Sequence, residues 1–351
     1  MFTISKTFTV ESVTSGHPDK VCDQMSDAIL DACLTGDSQS RVAIETFGGH
    51  NLLVIGGEAT TNTHVDYEKV ARDVYKDIGY DTRLEVITRV AEQSRDIGQG
   101  VDTGGAGDQG IMYGFATNET DSYMPDAVAK VHALTKGLED LRNKGTLPWL
   151  RPDGKAQITI HQGKLKAALI STQHAKDVDQ KTIREDLIKH LFAPILGELD
   201  GVDIFTNPTG LFEIGGFDGD TGLTGRKIMV DTYCGLAPHG GGAFSGKDAT
   251  KVDRSAAYMA RFVAKNLVAN GFANQCLVSV AYAIGRAEPM MVEATNEKGE
   301  SLAEVVQKNF DFKPQAIIER LGLRRPIFRQ TAAYGHFGKA GLPWEEIVKI
   351  S

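Results

Sequence analysis

The sequence predicts an α+β protein in which sheets are backed by helices. Segments with strand-like and helix-like periodicity alternate along the 351 residues, and strands tend to come in pairs before the next helix. Paired strands favour antiparallel or mixed sheets over a doubly wound parallel sheet. Because 41% of the residues are hydrophobic, the chain can bury a large core, and its length predicts two or three domains.

Individual elements follow from apolar spacing and turn residues. The predicted strands are TISKTFTVESV, RVAIETFG, NLLVIGGEAT, LEVITRV, AQITI, KLKAALIST, RKIMVDTY and QCLVSVAYAI. The predicted helices span residues 19–34, 65–78, 182–192, 255–268 and 302–309. Breaks between domains are expected in two glycine-rich stretches, IGQGVDTGGAGDQG and NPTGLFEIGGFDGDTG.

Charge and cysteine usage narrow the function class. The formal net charge is −8, so the basic residues between 226 and 254 lie in an acidic background. This argues against general nucleic-acid binding and for a local site that takes a small phosphorylated ligand. The lack of a CxxC pattern, of a signal peptide and of a long apolar run predicts a cytoplasmic protein with no membrane span. The cysteines are expected to be packing residues: Cys22, Cys33, Cys234 and Cys276.

The most informative segment is HGGGAFSGKDATKVDR, residues 239–254. Its glycines let backbone N–H groups approach phosphate oxygens, and Lys247 and Lys251 add charge-assisted hydrogen bonds. The spacing resembles a P-loop, but Asp248 stands where that motif needs a Ser or Thr for Mg²⁺. The segment therefore predicts a polyphosphate site outside the P-loop class, although alone it could also be a simple turn.

A second charged motif lies near the N-terminus, where His17, Asp19 and Lys20 precede an amphipathic helix. An imidazole at a helix N-terminus can hydrogen-bond an oxyanion while a carboxylate holds a divalent cation. The same residues also fit a purely structural role, in which Asp19 complements the helix dipole.

Three further motifs combine glycine with charged side chains: GAGDQG, PDGK and GDTGLTGRK. Taken alone, GAGDQG and PDGK could also be ordinary turns, and the Arg-Lys pair of GDTGLTGRK could be a solvated edge. Their charged residues are Asp108, Asp153, Lys155, Asp220, Arg226 and Lys227.

One family carries these motifs in the same order, and the chain resembles it over nearly its whole length: the S-adenosylmethionine synthetases, or methionine adenosyltransferases. The shared motifs are HPDK, GAGDQG, PDGKAQ, GLTGRK, GGGAFSGKD and QTAAYGHFG. GAGDQG and GGGAFSGKD are similar to the family's two signature peptides.

The resemblance implies a reaction in which methionine sulfur attacks C5′ of ATP, followed by hydrolysis of the tripolyphosphate to phosphate and pyrophosphate. A thioether has no proton to lose, so no catalytic base is needed for the first step. Catalysis must instead align the reactants and stabilise the charge that grows on the triphosphate. The residues implied to be catalytic are His17, Lys155, Arg226 and Lys247.

Ligand contacts are likewise implied by resemblance. For ATP they are His17, Asp153, Lys155, Phe212, Asp220, Arg226, Lys227, Ala243 and Lys247. For methionine they are Glu58, Gln99, Asp108, Asp220 and Lys251. For metals they are Asp19 and Asp253, which hold two Mg²⁺ per site, and Glu45, which is associated with K⁺.

The family fold implies three similar domains related by pseudo-threefold symmetry, each a mixed or antiparallel sheet backed by helices. We expect them at about residues 1–100, 105–213 and 215–345, with segments exchanged between them. The resemblance also implies a homodimer or homotetramer with sites between subunits. Two departures stand out: Leu211 replaces a common arginine, and the segment GVDTG before Gly105 is shorter than the family's mobile loop.

Two other functions compete with this interpretation. An ATP-dependent phosphotransferase would use GGGAFSGKD as its anion loop and release ADP, which adenosyl transfer does not. A non-catalytic nucleotide-binding subunit would not need His17, Asp19, Lys247 and Asp253 as a set.

Overall fold

The computed structural model describes residues 4–80, 83–92 and 104–351. Its strands are β1 (Thr7–Val13), β2 (Arg41–Gly49), β3 (Leu52–Thr60), β4 (Glu85–Ala91), β5 (Gly110–Thr117), β6 (Leu150–His161), β7 (Lys164–His174), β8 (Asp203–Thr206), β9 (Gly222–Leu223), β10 (Gln275–Tyr282) and β11 (Met291–Asn296). Its helices are α1 (Pro18–Gly36), α2 (Tyr67–Ile78), α3 (Asp126–Asn143), α4 (Gln180–Leu187), α5 (Ala193–Leu196), α6 (Ile228–Asp231), α7 (Val252–Ala269), α8 (Ala303–Asn309) and α9 (Pro314–Leu321).

The described strands form three sheets, with the orders β1-β6-β7-β8, β4-β3-β2-β9 and β11-β10-β5. Pairing is antiparallel except between β3 and β4 and between β7 and β8, which are parallel. Each sheet has a long helix against it: α3 packs on β1 and β6, α1 on β2, and α7 on β5 and β10. The predicted α+β class with mixed or antiparallel sheets is therefore confirmed.

Each sheet contains one strand from a distant part of the chain. β1 pairs with β6, β5 pairs with β10, and β9 pairs with β2. Each of the three sequence ranges expected to be domains thus gives one strand to a sheet built mainly by another range. The exact domain boundaries stay a prediction.

Local predictions failed where tertiary contacts decide the conformation. The segment RKIMVDTY, predicted as a strand, contains α6, because Asp231 is buried against the Lys20 ammonium of α1 and its carbonyl accepts a hydrogen bond from His336 N. α3 was not among the predicted helices, although its buried residues Val128, Val131 and Leu138 recur at helical spacing.

The burial of the cysteines agrees with the prediction from the sequence. The four cysteines are free and buried, as predicted for packing residues. None of the described helices combines the length and the apolarity that crossing a bilayer would require.

One face of α1 carries an aspartate at every fourth position: Asp19, Asp23, Asp27 and Asp31. We call these residues the aspartate row. Each accepts backbone N–H groups from residues 223–329, since an i, i+4 spacing keeps all four on one face. The donors are Leu223 to Asp19, Gly225 to Asp23, Gly246 to Asp27, and Phe328 and Arg329 to Asp31.

Arg254, on α7, is the central partner of this row. Its guanidinium is fully buried and donates to both carboxylate oxygens of Asp27, at 2.6 and 2.8 Å. It also donates to the carbonyl oxygens of Phe244 and Lys247, at 2.9 and 3.1 Å. One side chain therefore fixes α7, α1 and the glycine-rich segment before Lys247 relative to one another.

Arg254→Met is expected to lower the free energy of unfolding by about 3–5 kcal/mol, because it leaves the Asp27 carboxylate buried without its cation. Urea unfolding followed by circular dichroism measures this loss. Lys69→Met is the matched control, since it removes one partner of an exposed pair with Asp73 and should cost less than about 1 kcal/mol. Similar losses for the two variants would contradict the role of Arg254.

Candidate functional site

His17 forms the N-cap of α1. Its Nδ1 accepts a hydrogen bond from the Asp19 backbone N–H at 3.2 Å, and Pro18 occupies the first helical turn, where a missing N–H costs nothing. A neutral imidazole that accepts at Nδ1 carries its proton on Nε2. The cap therefore leaves Nε2–H as a hydrogen-bond donor.

The electrostatic surroundings keep this imidazole neutral. Burial lowers the pKa of His17 to about 2, helped by the positive charges of Lys227, Lys155, Lys20 and Arg226. Lys20 is locked in a buried ion pair with Asp231, as described above. The remaining three cations, Lys155, Arg226 and Lys227, form what we call the cationic cluster.

Asp19 lies beneath this cluster and is almost fully buried. Its carboxylate is 2.5 Å from Lys227 Nζ and 3.6 Å from Arg226 Nε. The chain at β9 can approach α1 this closely because Gly222 has no side chain: a Cβ there would lie 2.2 Å from the Pro18 carbonyl oxygen.

The PDGK motif lies within β6 and contacts the loop that precedes α1. Asp153 is buried and accepts a hydrogen bond from Gly216 N at 2.9 Å, while its Oδ1 is buried and has no hydrogen-bond partner among the residues that the structure describes. Burial raises the pKa of Asp153 to about 6, and the negative charge of Asp220 adds to the shift. Thr14 N donates to Gly154 O, which holds β6 beside the His17 loop.

Phe212 and Asp220 lie on the segment that connects β8 to β9. Phe212 is half-buried, and its backbone N–H donates to His174 Nε2 at 3.1 Å. Asp220 is exposed and accepts from Thr221 N. Together with His17, Asp19, Asp153 and the cationic cluster, these residues form a first group of predicted site residues.

A second group surrounds the N-terminus of α7. Lys247 Nζ lies 2.6 Å from Asp253 Oδ2, and Lys251 Nζ lies 2.5 Å from Asp248 Oδ2. All but Asp248 are half-buried, and Asp248 also accepts from Val42 N of β2. We call these four residues the lysine–aspartate cluster.

The glycines of residues 239–254 allow this segment to lie close against β5. A Cβ on Gly240 would lie 1.5 Å from the Ile111 carbonyl oxygen, and one on Gly242 would lie 2.2 Å from the Asp253 carboxyl carbon. A Cβ on Gly110, at the end of GAGDQG, would lie 3.7 Å from Asp253 Oδ1. The two signature-like peptides therefore meet at Asp253.

Residues predicted to bind methionine and K⁺ lie near this second group. Ala43 on β2 pairs with Glu58 on β3 and also forms a bridge with Lys247. Glu45 lies two positions further along β2, on the same face as Ala43, and is exposed, as is Asp108. Gln99 lies outside the described residues.

The two groups are connected but distinct. Asp19 and Asp27, which hold the segments carrying Lys227 and Lys247, are eight residues apart on α1, or about 12 Å along its axis. Ala243 links the groups, because a Cβ on Gly225 would lie 2.5 Å from its Cβ. Among the described residues, no ion pair or hydrogen bond joins a side chain of the cationic cluster to one of the lysine–aspartate cluster.

Sequence reasoning overlooked the residues that hold both groups in place. Asp23, Asp27 and Arg254 position the backbone of the site segments but were not singled out. Two signals were available: an aspartate at every fourth position of a predicted helix, and an arginine directly after Asp253.

Comparison with known proteins identifies the family of the chain. Residues 5–95, 103–212 and 214–346 match, in turn, the N-terminal, central and C-terminal domains of S-adenosylmethionine synthetase. The chain is 50% identical to the S-adenosylmethionine synthase of Clostridium botulinum (strain Alaska E43 / Type E3), with 99% of this chain and 98% of the relative covered. It is 48% identical to that of Clostridium tetani (strain Massachusetts / E88), with 98% of both chains covered. All three domains and nearly the whole length are thus shared, and the chain belongs to the S-adenosylmethionine synthetase family, whose members are adenosyl-transferring enzymes.

Proposed function

We propose that the chain makes S-adenosylmethionine by direct attack of methionine sulfur on C5′ of ATP, and that it then hydrolyses the tripolyphosphate to phosphate and pyrophosphate. The observation that carries the proposal is the neutral, buried imidazole of His17, capped at Nδ1 and surrounded by the cationic cluster. This arrangement supplies one hydrogen-bond donor and three positive charges to a polyanionic leaving group.

The roles follow from the charge that develops during transfer. As the C5′–O bond breaks, negative charge grows on the leaving oxygen and spreads over the triphosphate. His17 Nε2–H donates to an oxygen of that group, while Lys155, Arg226 and Lys227 stabilise its charge. A neutral donor keeps its proton throughout, so the step requires no proton transfer from the protein.

Two carboxylates suit the metal chemistry of such a leaving group. Synthetases of this family are metal-dependent. The described residues contain no group of three or more His, Cys, Asp or Glu side chains placed to hold a metal by themselves. Mg²⁺ needs only one or two carboxylates when substrate phosphates and water complete its shell, so Asp19 and Asp253 fit two Mg²⁺ ions. Bound there, the metal would neutralise phosphate charge, and the exposed carboxylate of Glu45 fits a nearby K⁺.

The separation into two groups supports a site between subunits. In a homodimer or homotetramer, the first group of one protomer can face the second group of its partner, which joins the phosphate contacts to Lys247 and Ala243. We assign methionine to the second group, through Glu58, Asp108 and Lys251, together with Gln99 and Asp220. The cyclic exchange of β1, β5 and β9 supports three domains with pseudo-threefold symmetry.

A product assay tests the proposal. The protein is incubated with ATP, methionine, Mg²⁺ and K⁺, and we expect a sulfonium product together with phosphate and pyrophosphate. Formation of ADP would indicate a phosphotransferase instead. Nucleotide binding without any product would indicate a non-catalytic subunit.

His17→Ser is expected to lower the rate of adenosyl transfer by about 100-fold or more, with little effect on methionine binding. Serine keeps the N-cap of α1, so the fold is preserved, but its hydroxyl is too short to reach the leaving group. Single-turnover kinetics and methionine titration measure the two quantities. His64→Ser, at an exposed position, is the control, and equal rates for both variants would refute the role of His17.

The same variant changes the dependence of stability on pH. Unfolded His17 binds a proton with a pKa near 6.5, whereas the folded residue does so only near 2, so stability falls as the pH drops below 6.5. At pH 5 this costs the parent about 2 kcal/mol, which His17→Ser avoids. Urea unfolding at pH 7.5 and 5 measures the difference, and parallel losses in the two proteins would contradict it.

Asp253→Asn is expected to raise the Mg²⁺ concentration at half-maximal activity by about tenfold, because the variant loses an anionic ligand. Asp73→Asn, which alters an exposed carboxylate on α2, is the control. An unchanged Mg²⁺ titration would remove Asp253 from the metal site.

A further inference from the structure

A cavity that no residue of either site group lines is found beside α1 and α3. It has a volume of about 920 Å³ and is bounded by α1, α3 and the segment 326–339 after α9. This volume is that of a pocket for a small organic molecule. None of the predicted catalytic, substrate or metal residues is among its described lining residues. We propose that this cavity is a second ligand site, which takes a small organic anion with an apolar body and acts on the loop that carries His17.

The walls determine the apolar part of the ligand. Met124 and, on α3, Val128 and Ala129 line the cavity together with Phe337, and most of its lining surface is apolar. Met124, Val128 and Phe337 are almost fully buried, so the cavity borders the protein core, whereas the apolar side chains of Ala129 and Ile327 are partly exposed. An apolar ring or chain would cover this surface and gain the usual hydrophobic stabilisation.

Lys339 determines the charge of the ligand. Its ammonium group donates to the carbonyl oxygens of Gln330 and Ala333, at 2.9 and 2.5 Å, which leaves one of its three protons without a partner in the described part of the chain. No carboxylate forms an ion pair with it across residues 4–80, 83–92 and 104–351. The other two cations of the lining are already paired, Lys136 with Glu139 and Arg329 with Asp77.

The electrostatic surroundings of Lys339 also favour an anionic ligand. Burial and the positive charge of Lys20 lower the pKa of Lys339 to about 7. A carboxylate or sulfonate in the cavity would place a negative charge beside this ammonium group. It would offset the cost of burial and the repulsion from Lys20, which favours the binding of an anion.

The wall of the cavity is continuous with the His17 loop. The Tyr334 hydroxyl accepts a hydrogen bond from Ser15 N at 3.0 Å, and Ser15 Oγ donates to Glu139 at 2.9 Å. Gln24 Nε2 donates to the Ser15 carbonyl oxygen at 2.7 Å. All four residues line the cavity, and Ser15 is two residues before His17. A ligand that displaces Tyr334 therefore shifts the loop; the effect on catalysis rests on the function proposed above.

The probe is 8-anilinonaphthalene-1-sulfonate, an aromatic anion whose fluorescence rises in apolar surroundings. We expect saturable binding of one probe per chain, with an affinity about tenfold weaker in Lys339→Met because a charged hydrogen bond is lost. Lys298→Met, at an exposed position, should bind as the parent does. Ala133→Trp introduces an indole ring into the cavity from an exposed position on α3, and should abolish binding.

Each outcome decides one part of the proposal. Absence of saturable binding, or binding that survives Ala133→Trp, overturns the site. Binding that is equal in parent and Lys339→Met overturns the assignment of an anion. Probe that binds without changing the rate of adenosyl transfer overturns the coupling to His17. A protein that binds the probe but forms no sulfonium product leaves the site intact and refutes the proposed function instead.

Discussion

The aspartate row of α1 is the constraint on which the arrangement of the molecule depends. A buried carboxylate is costly unless hydrogen bonds and cations replace its lost water. Here each carboxylate receives its donors from backbone at least 202 positions later in the chain. α1 can therefore be buried only when the loops around 223, 246 and 328 are in place. α1, which packs against β2, is thereby tied to three distant segments of the chain.

The same row positions the backbone segments that carry residues of the proposed site. Asp19 and Asp23 hold the turn that carries Arg226 and Lys227, while Asp27 and Arg254 hold the backbone before Lys247. Within this frame, burial keeps His17 uncharged although cations surround it. The neutral hydrogen-bond donor is His17, whereas the positive charges belong to the cationic cluster. Different side chains therefore supply the two features. Under the proposed function, the site would need little reorganisation when a polyanion binds.

The long helices could be predicted from local patterns, because a helix with one apolar face has apolar residues at regular spacing in the sequence. The predicted ranges 19–34, 65–78 and 255–268 fall close to Pro18–Gly36, Tyr67–Ile78 and Val252–Ala269. α6 was missed since its conformation depends on a buried ion pair with a residue about 200 positions away. The motifs supplied the charged residues of the proposed site. The sequence could not show that these residues form two groups. The division depends on which strands pair, and no local pattern encodes that pairing.

The exchange of strands has a consequence for biosynthesis. β2 cannot gain its neighbour β9 before residue 223 has left the ribosome, and β5 cannot pair with β10 until residue 282 has. None of the three sheets is complete when the first hundred residues emerge, so the nascent chain exposes unpaired strand edges for most of its synthesis. The sheet that contains β8 can close after residue 206 and the sheet that contains β9 after residue 223, but the sheet that contains β11 closes only after residue 296, so stable folding is deferred to late in translation. Premature termination anywhere before β10 would yield a fragment with open edges, which the cell must shield or degrade.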